Sequence, residues 1–229
     1  MHMRNPKVIE LAALLGRKAG SVSNKLGNLA RHDPALQARG IQGLTHGAKG
    51  EDEIWTEFVA QPEALAYESA RLLAQRLNKP IERVEDINED ELPGEGRERE
   101  TLLRVRVNQS FFRRRILSAY NYQCCITGLS LHELLVASHI APWSEDARNR
   151  LNPRNGLCLN ALHDRAFDRH LMWIDSDLRV RFTKRLKEAD KNSNATFDWL
   201  ISFEGRQLIL PKRFSPDPEL LLSHAKRCV

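Results

Sequence analysis

Apolar residues in the first thirty positions recur at helical rather than alternating spacing. Val8, Ile9, Ala12, Ala13 and Leu15 share one helical face, and a polar turn over residues 16–20 interrupts them. A second helix is expected to begin at Ser21 as N-cap, with Val22, Leu26 and Leu29 at i, i+4 and i+7. Residues 51–78 read as further helix, broken at Pro62. From 78 to 100 the chain is dense in acid, contains Pro80, Pro93, Gly94 and Gly96, and has few large apolar residues, which predicts a linker. Beyond it, apolar residues and arginines alternate over 102–107, and 108–117 reads as a helix with Phe112, Ile116 and Leu117 inward. A strand at 134–140, a charged loop, a helix at 160–168 and strands near 171–175 and 178–182 follow. The pattern predicts an α+β protein: a helical domain over 1–78, an acidic linker over 79–95 and a second domain over 96–229.

The first helical pair matches a helix-turn-helix. Ala12 is small where the helices approach, Gly16 opens the turn, and Val22 packs back between them. If it binds DNA, the outer face of 21–31 enters the major groove and presents Asn24, Lys25, Asn28 and Arg31. The competing reading is a helical hairpin whose polar face is simply wet.

Charge sharpens this picture. Residues 1–50 carry 8 Lys/Arg against 2 Asp/Glu, residues 51–100 carry 6 against 15, and residues 101–229 carry 21 against 13. Two basic lobes flank an acidic middle, so a polyanion such as double-stranded DNA is the first partner to consider. No apolar run approaches the ~20 residues of a membrane span, and the opening residues lack the apolar core of a secretory signal. A cytoplasmic protein without membrane contact is expected. The four cysteines, at 124, 125, 158 and 228, exclude a disulfide framework because two of them are adjacent.

Three segments carry the candidate chemistry: ASHIAPW at 137–143, NPRNGLCL at 152–159 and LHDRAFD at 162–168. Their key residues, His139, Asn155 and His163, are spaced by 16 and 8 positions. This order resembles the HNH endonuclease family, and the resemblance runs from about Gly96 to the C-terminus, taking in CITG at 125–128, Pro211 and His224. The N-terminal helical unit adds a weaker resemblance to bacterial restriction-type HNH proteins. The family implies a ββα-metal fold: a catalytic histidine on a strand, His139; an asparagine in the following loop, Asn155; and a metal-binding histidine on a helix, His163.

Phosphodiester hydrolysis needs a deprotonated water in line with the leaving oxygen and a cation at the developing phosphorane charge. Imidazole is largely neutral at cytoplasmic pH, so His139 suits the general base. The resemblance gives Asn155 the task of bridging loop backbone and orienting His139. It gives His163 the metal, with the two imidazoles converging on one phosphorus. Many HNH enzymes carry Asp or His just before the catalytic histidine, whereas this chain has Ser138, a poor divalent ligand. Asp164 or Asp168, or substrate oxygens, then complete the shell. Asp168 is carried as a candidate ligand beside its other reading as a local cap, and Mg²⁺ or Mn²⁺ is expected, with Ni²⁺ as a further candidate.

Arg148, Arg150, Arg154 and Arg165 flank the site in sequence and are candidate phosphate contacts, as are the consecutive Arg113, Arg114 and Arg115. His2, His32, His46, His132, His170 and His224 have no such company in sequence. Cys125 and Cys158 read as small core residues, there being no Cys-x2-Cys pair for zinc. The function expected is metal-dependent DNA cleavage in a restriction or defence setting. One such site cuts one strand, so a double-strand break calls for a homodimer or two binding events. The alternative is a helix-turn-helix regulator whose nuclease fold is degenerate at Ser138.

Overall fold

The computed structural model describes residues 2–40, 47, 49–189 and 194–228, so His46 lies outside the described residues. The chain divides into two compact units, Met1–Asn108 and Gln109–Val229.

In the first unit, α1 (Pro6–Leu14) starts where Asn5 accepts from the Lys7 amide at 2.9 Å and Pro6 presets the first turn. Gly16, at φ 61°, turns the chain into α2 (Ala19–Ala30). α2 begins two residues before Ser21, with Lys18 at the N-cap and no side-chain cap bond, so Ser21 is not its cap. Val8, Ala12 and Val22 form the buried core of this hairpin, packed by Leu11, Ala19 and Leu26. The short α3 (Pro34–Gln37) precedes α4 (Lys49–Val59) and α5 (Pro62–Leu77), and α5 buries Ala66, Ala70 and Ala74 at four-residue spacing.

The acidic stretch is folded rather than a linker. It forms α6 (Ile81–Val84) and a 3-10 turn, buries Leu92, and pairs Glu82 with Arg99 at 2.7 Å and Glu91 with Arg106 at 3.0 Å. Arg99 also donates to the Pro93 carbonyl. Those arginines sit on α7 (Arg97–Ala119), a single helix that absorbs the alternating residues 102–107. The division between units falls inside α7, at Asn108, rather than near residue 95.

In the second unit, α7 buries Phe112, Ile116, Leu117 and Tyr120 at helical spacing. β1 (Leu135–His139) pairs antiparallel with β2 (Gly156–Asn160), with His139 opposite Gly156 and Leu135 opposite Asn160. β2 is buried at every position, which leaves no alternation to read in the sequence. Gly156 is required by close approach: a Cβ there would sit 2.3 Å from Ile116 Cδ1 and 2.8 Å from Phe112 Cζ.

α8 (Ala161–Asp168) follows β2 directly, because the Asn160 side chain accepts from the amides of Leu162 and His163 and caps it. β1, β2 and α8 thus make a ββα unit, with α8 against both strands. The hairpin of β3 (Met172–Ile174) and β4 (Val180–Phe182) comes next. The short α9 (Lys184–Lys187), α10 (Ala195–Ile201) and α11 (Pro218–Cys228) complete the unit, and α11 packs on β3. The architecture is α+β with small antiparallel sheets. No helix among the described residues is long and apolar enough to cross a membrane.

Candidate active site

His139 closes β1, where the strand gives way to the loop that returns through Asn155 to β2. Its ring stacks on Phe112 at 3.7 Å between centroids and meets the Trp143 edge at 5.5 Å. His139 Nε2 lies 3.0 Å from the Arg150 carbonyl oxygen. A carbonyl only accepts, so Nε2 carries the proton and Nδ1 keeps its lone pair. Burial holds the imidazole below its ordinary pKa, opposed by the Arg150 carbonyl and the charge of Asp168.

Asn155 is fully buried and ties this loop together. Its Oδ1 accepts from the Ala141 amide at 2.8 Å, while its Nδ2 donates to the carbonyls of Asn149 at 3.0 Å and Ala141 at 3.2 Å. Those bonds hold the segments on either side of Arg150, whose carbonyl holds His139. Arg150 itself is spent on the loop: its Nε donates to the Trp143 carbonyl and its guanidinium lies over the Trp143 ring.

α8 presents two carboxylates one turn apart. Asp164 has its carboxyl pushed up by burial and by the charge of Asp168, with Ser138 and Arg165 opposing. Asp168 is likewise pushed up by burial, opposed by Arg165, His139, His170 and Arg169. Ser138 Oγ is buried close to Asp164 but makes no complete hydrogen bond. Asp164 thus interacts with Ser138 and Asp168, and Asp168 with His139, which links the end of β1 to the polar face of α8. Two mutually repelling, partly desolvated carboxylates beside an unsatisfied hydroxyl form an oxygen donor set that suits a hard divalent cation.

Residues 124–175 match the family model described as HNH endonuclease. Over this segment the chain is similar to HNH endonucleases. No curated protein matches the chain.

His163 packs away from solvent against other partners, contrary to the expectation that its ring would meet that of His139. It is fully buried, its Nδ1 accepts from Asn160 Nδ2 at 2.8 Å, and its ring packs against Trp199 at 5.4 Å and Phe203 at 5.1 Å. Asn160 Oδ1 is engaged by the two capped amides, so Nδ2 must be the donor and His163 Nε2 carries the proton, buried without a partner. Burial lowers its pKa to about 4, which keeps it neutral. The reason is helical geometry. His163, Ala166 and Phe167 form the buried stripe of α8, and Asp164 and Asp168 lie about 100° around from it.

The arginines of the second unit divide by task. Arg113 donates to the Leu135 carbonyl at 2.7 Å and Arg115 to that of Leu151 at 3.0 Å, so both brace the fold. Arg154 pairs with Asp217 at 3.2 Å. Arg148 and Arg165 are exposed, and Arg165 lies near both aspartates of α8.

In the first unit, the face of α2 expected to meet DNA is largely occupied. Glu51 takes Lys25 at 2.5 Å and Asn28 at 3.1 Å, and Asp52 pairs with Arg31 and, at 3.0 Å, with His32. Asn24 is exposed. The acidic first turn of α4 supplies both carboxylates, a long-range charge complementarity invisible to local periodicity.

Proposed function

We propose that this protein is a divalent-metal-dependent DNA endonuclease whose chemistry resides in its HNH domain. The observation that supports the reading is His139, whose Nε2 faces the Arg150 carbonyl and leaves Nδ1 as the acceptor, in electrostatic reach of Asp168, which in turn interacts with Asp164. His139 Nδ1 takes the proton of a water as that water's oxygen attacks the phosphorus. The bond from phosphorus to the leaving sugar oxygen breaks, and that oxygen takes a proton from solvent. Asn155 acts without touching the substrate, keeping the Arg150 carbonyl where it orients His139.

Asp164 and Asp168 would hold the cation, with Ser138 contributing through its hydroxyl or a water. A cation held there would supply positive charge against that developing on the phosphorane and the leaving oxygen. An all-oxygen set favours Mg²⁺ or Mn²⁺ over Ni²⁺. Arg148 and Arg165 are assigned to phosphates of the scissile strand, with Arg165 also placed to offset the paired aspartates. A double-strand break would use a second protomer or a second encounter, and restriction or defence is the setting this activity fits.

What weighs against the regulator reading is the cover of Glu51 and Asp52 over Lys25, Asn28 and Arg31, which leaves a groove-reading role for α2 dependent on displacing α4. The test is incubation of the purified protein with supercoiled plasmid and Mg²⁺ or Mn²⁺. Nicking or linearisation that EDTA abolishes is expected. A gel shift with no cleavage in either metal would overturn the assignment.

A further inference from the structure

His170, just past the end of α8, stands 54 residues before His224, which lies one helical turn from Cys228 on α11. Among the described residues they are the one group of three His, Cys, Asp or Glu whose ligand atoms all lie within 4.8 Å of one another. We infer that they form a second metal site, for Zn²⁺, which fastens α11 to the end of α8.

The backbone at His170 is the first argument. α8 ends with the Leu171 amide bonded to the Ala166 carbonyl at 2.9 Å and the His170 amide to that of Phe167 at 3.0 Å, a cap with His170 left-handed at φ 54°. Glycine takes that conformation freely, whereas a residue with a side chain is strained there. The histidine gains the cap nothing. It does bring an imidazole whose Nδ1 is buried without a hydrogen-bond partner.

His224 is prepared in the way metal-bound histidines are. Its Nε2 donates to the Phe167 carbonyl at 3.1 Å and its ring stacks on Phe167 at 3.7 Å with an interplanar angle of 2°, which fixes tautomer and orientation. Nδ1 is left free to bind and lies 3.7 Å from Cys228 Sγ, one helical turn along α11. Two ligands on a tetrahedral zinc, one nitrogen and one sulfur, stand about 3.5 Å apart. The His170 and His224 ring centroids are 5.1 Å apart.

Burial lowers His224 to about 4 and raises the Cys228 thiol to about 11, and Sγ makes long contacts to the carbonyls of Met172 and His224 at 3.5 Å. Binding expels the thiol proton to solvent and leaves a thiolate with two imidazoles, a donor set that selects zinc over the hard cation suited to Asp164 and Asp168. Three protein ligands leave a fourth position for water.

The test uses the full chain and metal alone. Co²⁺ titrated into chelator-stripped protein should give a sulfur-to-cobalt charge-transfer absorption saturating at about one ion per chain, erased by Zn²⁺, and Zn²⁺ should raise the thermal midpoint. His170→Gly, which relaxes the cap, and Cys228→Ser should each lose the absorption and the zinc-dependent shift while unfolding cooperatively without metal. Absence of the absorption in the wild type, or its full retention in either variant, overturns the site. Cleavage activity enters neither outcome.

Discussion

His139 Nε2 and the carbonyl oxygen of Arg150, 3.0 Å apart, decide which atom of the imidazole can accept a proton. Because the carbonyl claims Nε2, the base is Nδ1, and because burial lowers the ring's pKa, that atom is unprotonated through the neutral range. A lowered base pKa moves the acid limb of the rate profile downward, provided the raised carboxyls of Asp164 and Asp168 have also ionised. Cleavage rate against pH is therefore expected to rise with a midpoint below the ordinary imidazole value of ~6.5 and to be level above neutrality. A rate still climbing above neutrality would contradict this.

The two carboxylates of α8, and not its histidine, are assigned the cation. Asp164→Asn and Asp168→Asn should each weaken Mn²⁺ binding, measured calorimetrically or by electron paramagnetic resonance, by about 10-fold or more, with cleavage falling in parallel. His163→Gln should bind Mn²⁺ as the wild type does. Loss of Mn²⁺ binding in the His163 variant with retention in both aspartate variants would restore the assignment read from the motif.

His163 instead governs acid stability. Its pKa is about 4 in the fold, below the unfolded value near 6.5, so the unfolded chain binds the extra proton as pH falls. The stabilisation is fully present above pH ~6.5 and fades toward 4, a change of up to about 3 kcal/mol. Denaturant unfolding at pH 7 and pH 4.5, with chelator present, should show this loss in the wild type and a smaller one in His163→Leu. Equal acid sensitivity in the two proteins would count against it.

Much of the site was legible before the fold was. The hairpin of α1 and α2 follows from Val8, Ala12 and Val22, and the sequence marks a helix over 160–168, whose capping by the Asn160 side chain only the structure shows. β2 carries no alternation because it is buried on both faces, and no periodic pattern in the sequence analysis marks α10 or α11. Letter matching singled out His163, although its i, i+4 partner Phe167 marks a buried stripe and the Asp164 and Asp168 pair marks the polar face beside it. The acidic middle looked unstructured by composition. Its order comes from arginines 15 and 17 residues away, Arg106 with Glu91 and Arg99 with Glu82. His170, His224 and Cys228 likewise meet only through the packing of α11 on the hairpin that follows α8.

The claim that His139 is the general base is tested most directly by plasmid cleavage in Mn²⁺ with His139→Ala, compared with wild type at matched fold and Mn²⁺ affinity. Nδ1 is the only proton acceptor assigned, so the rate should fall about 10²- to 10⁴-fold while DNA binding stays within about twofold. Cleavage by that variant at the wild-type rate would contradict the account.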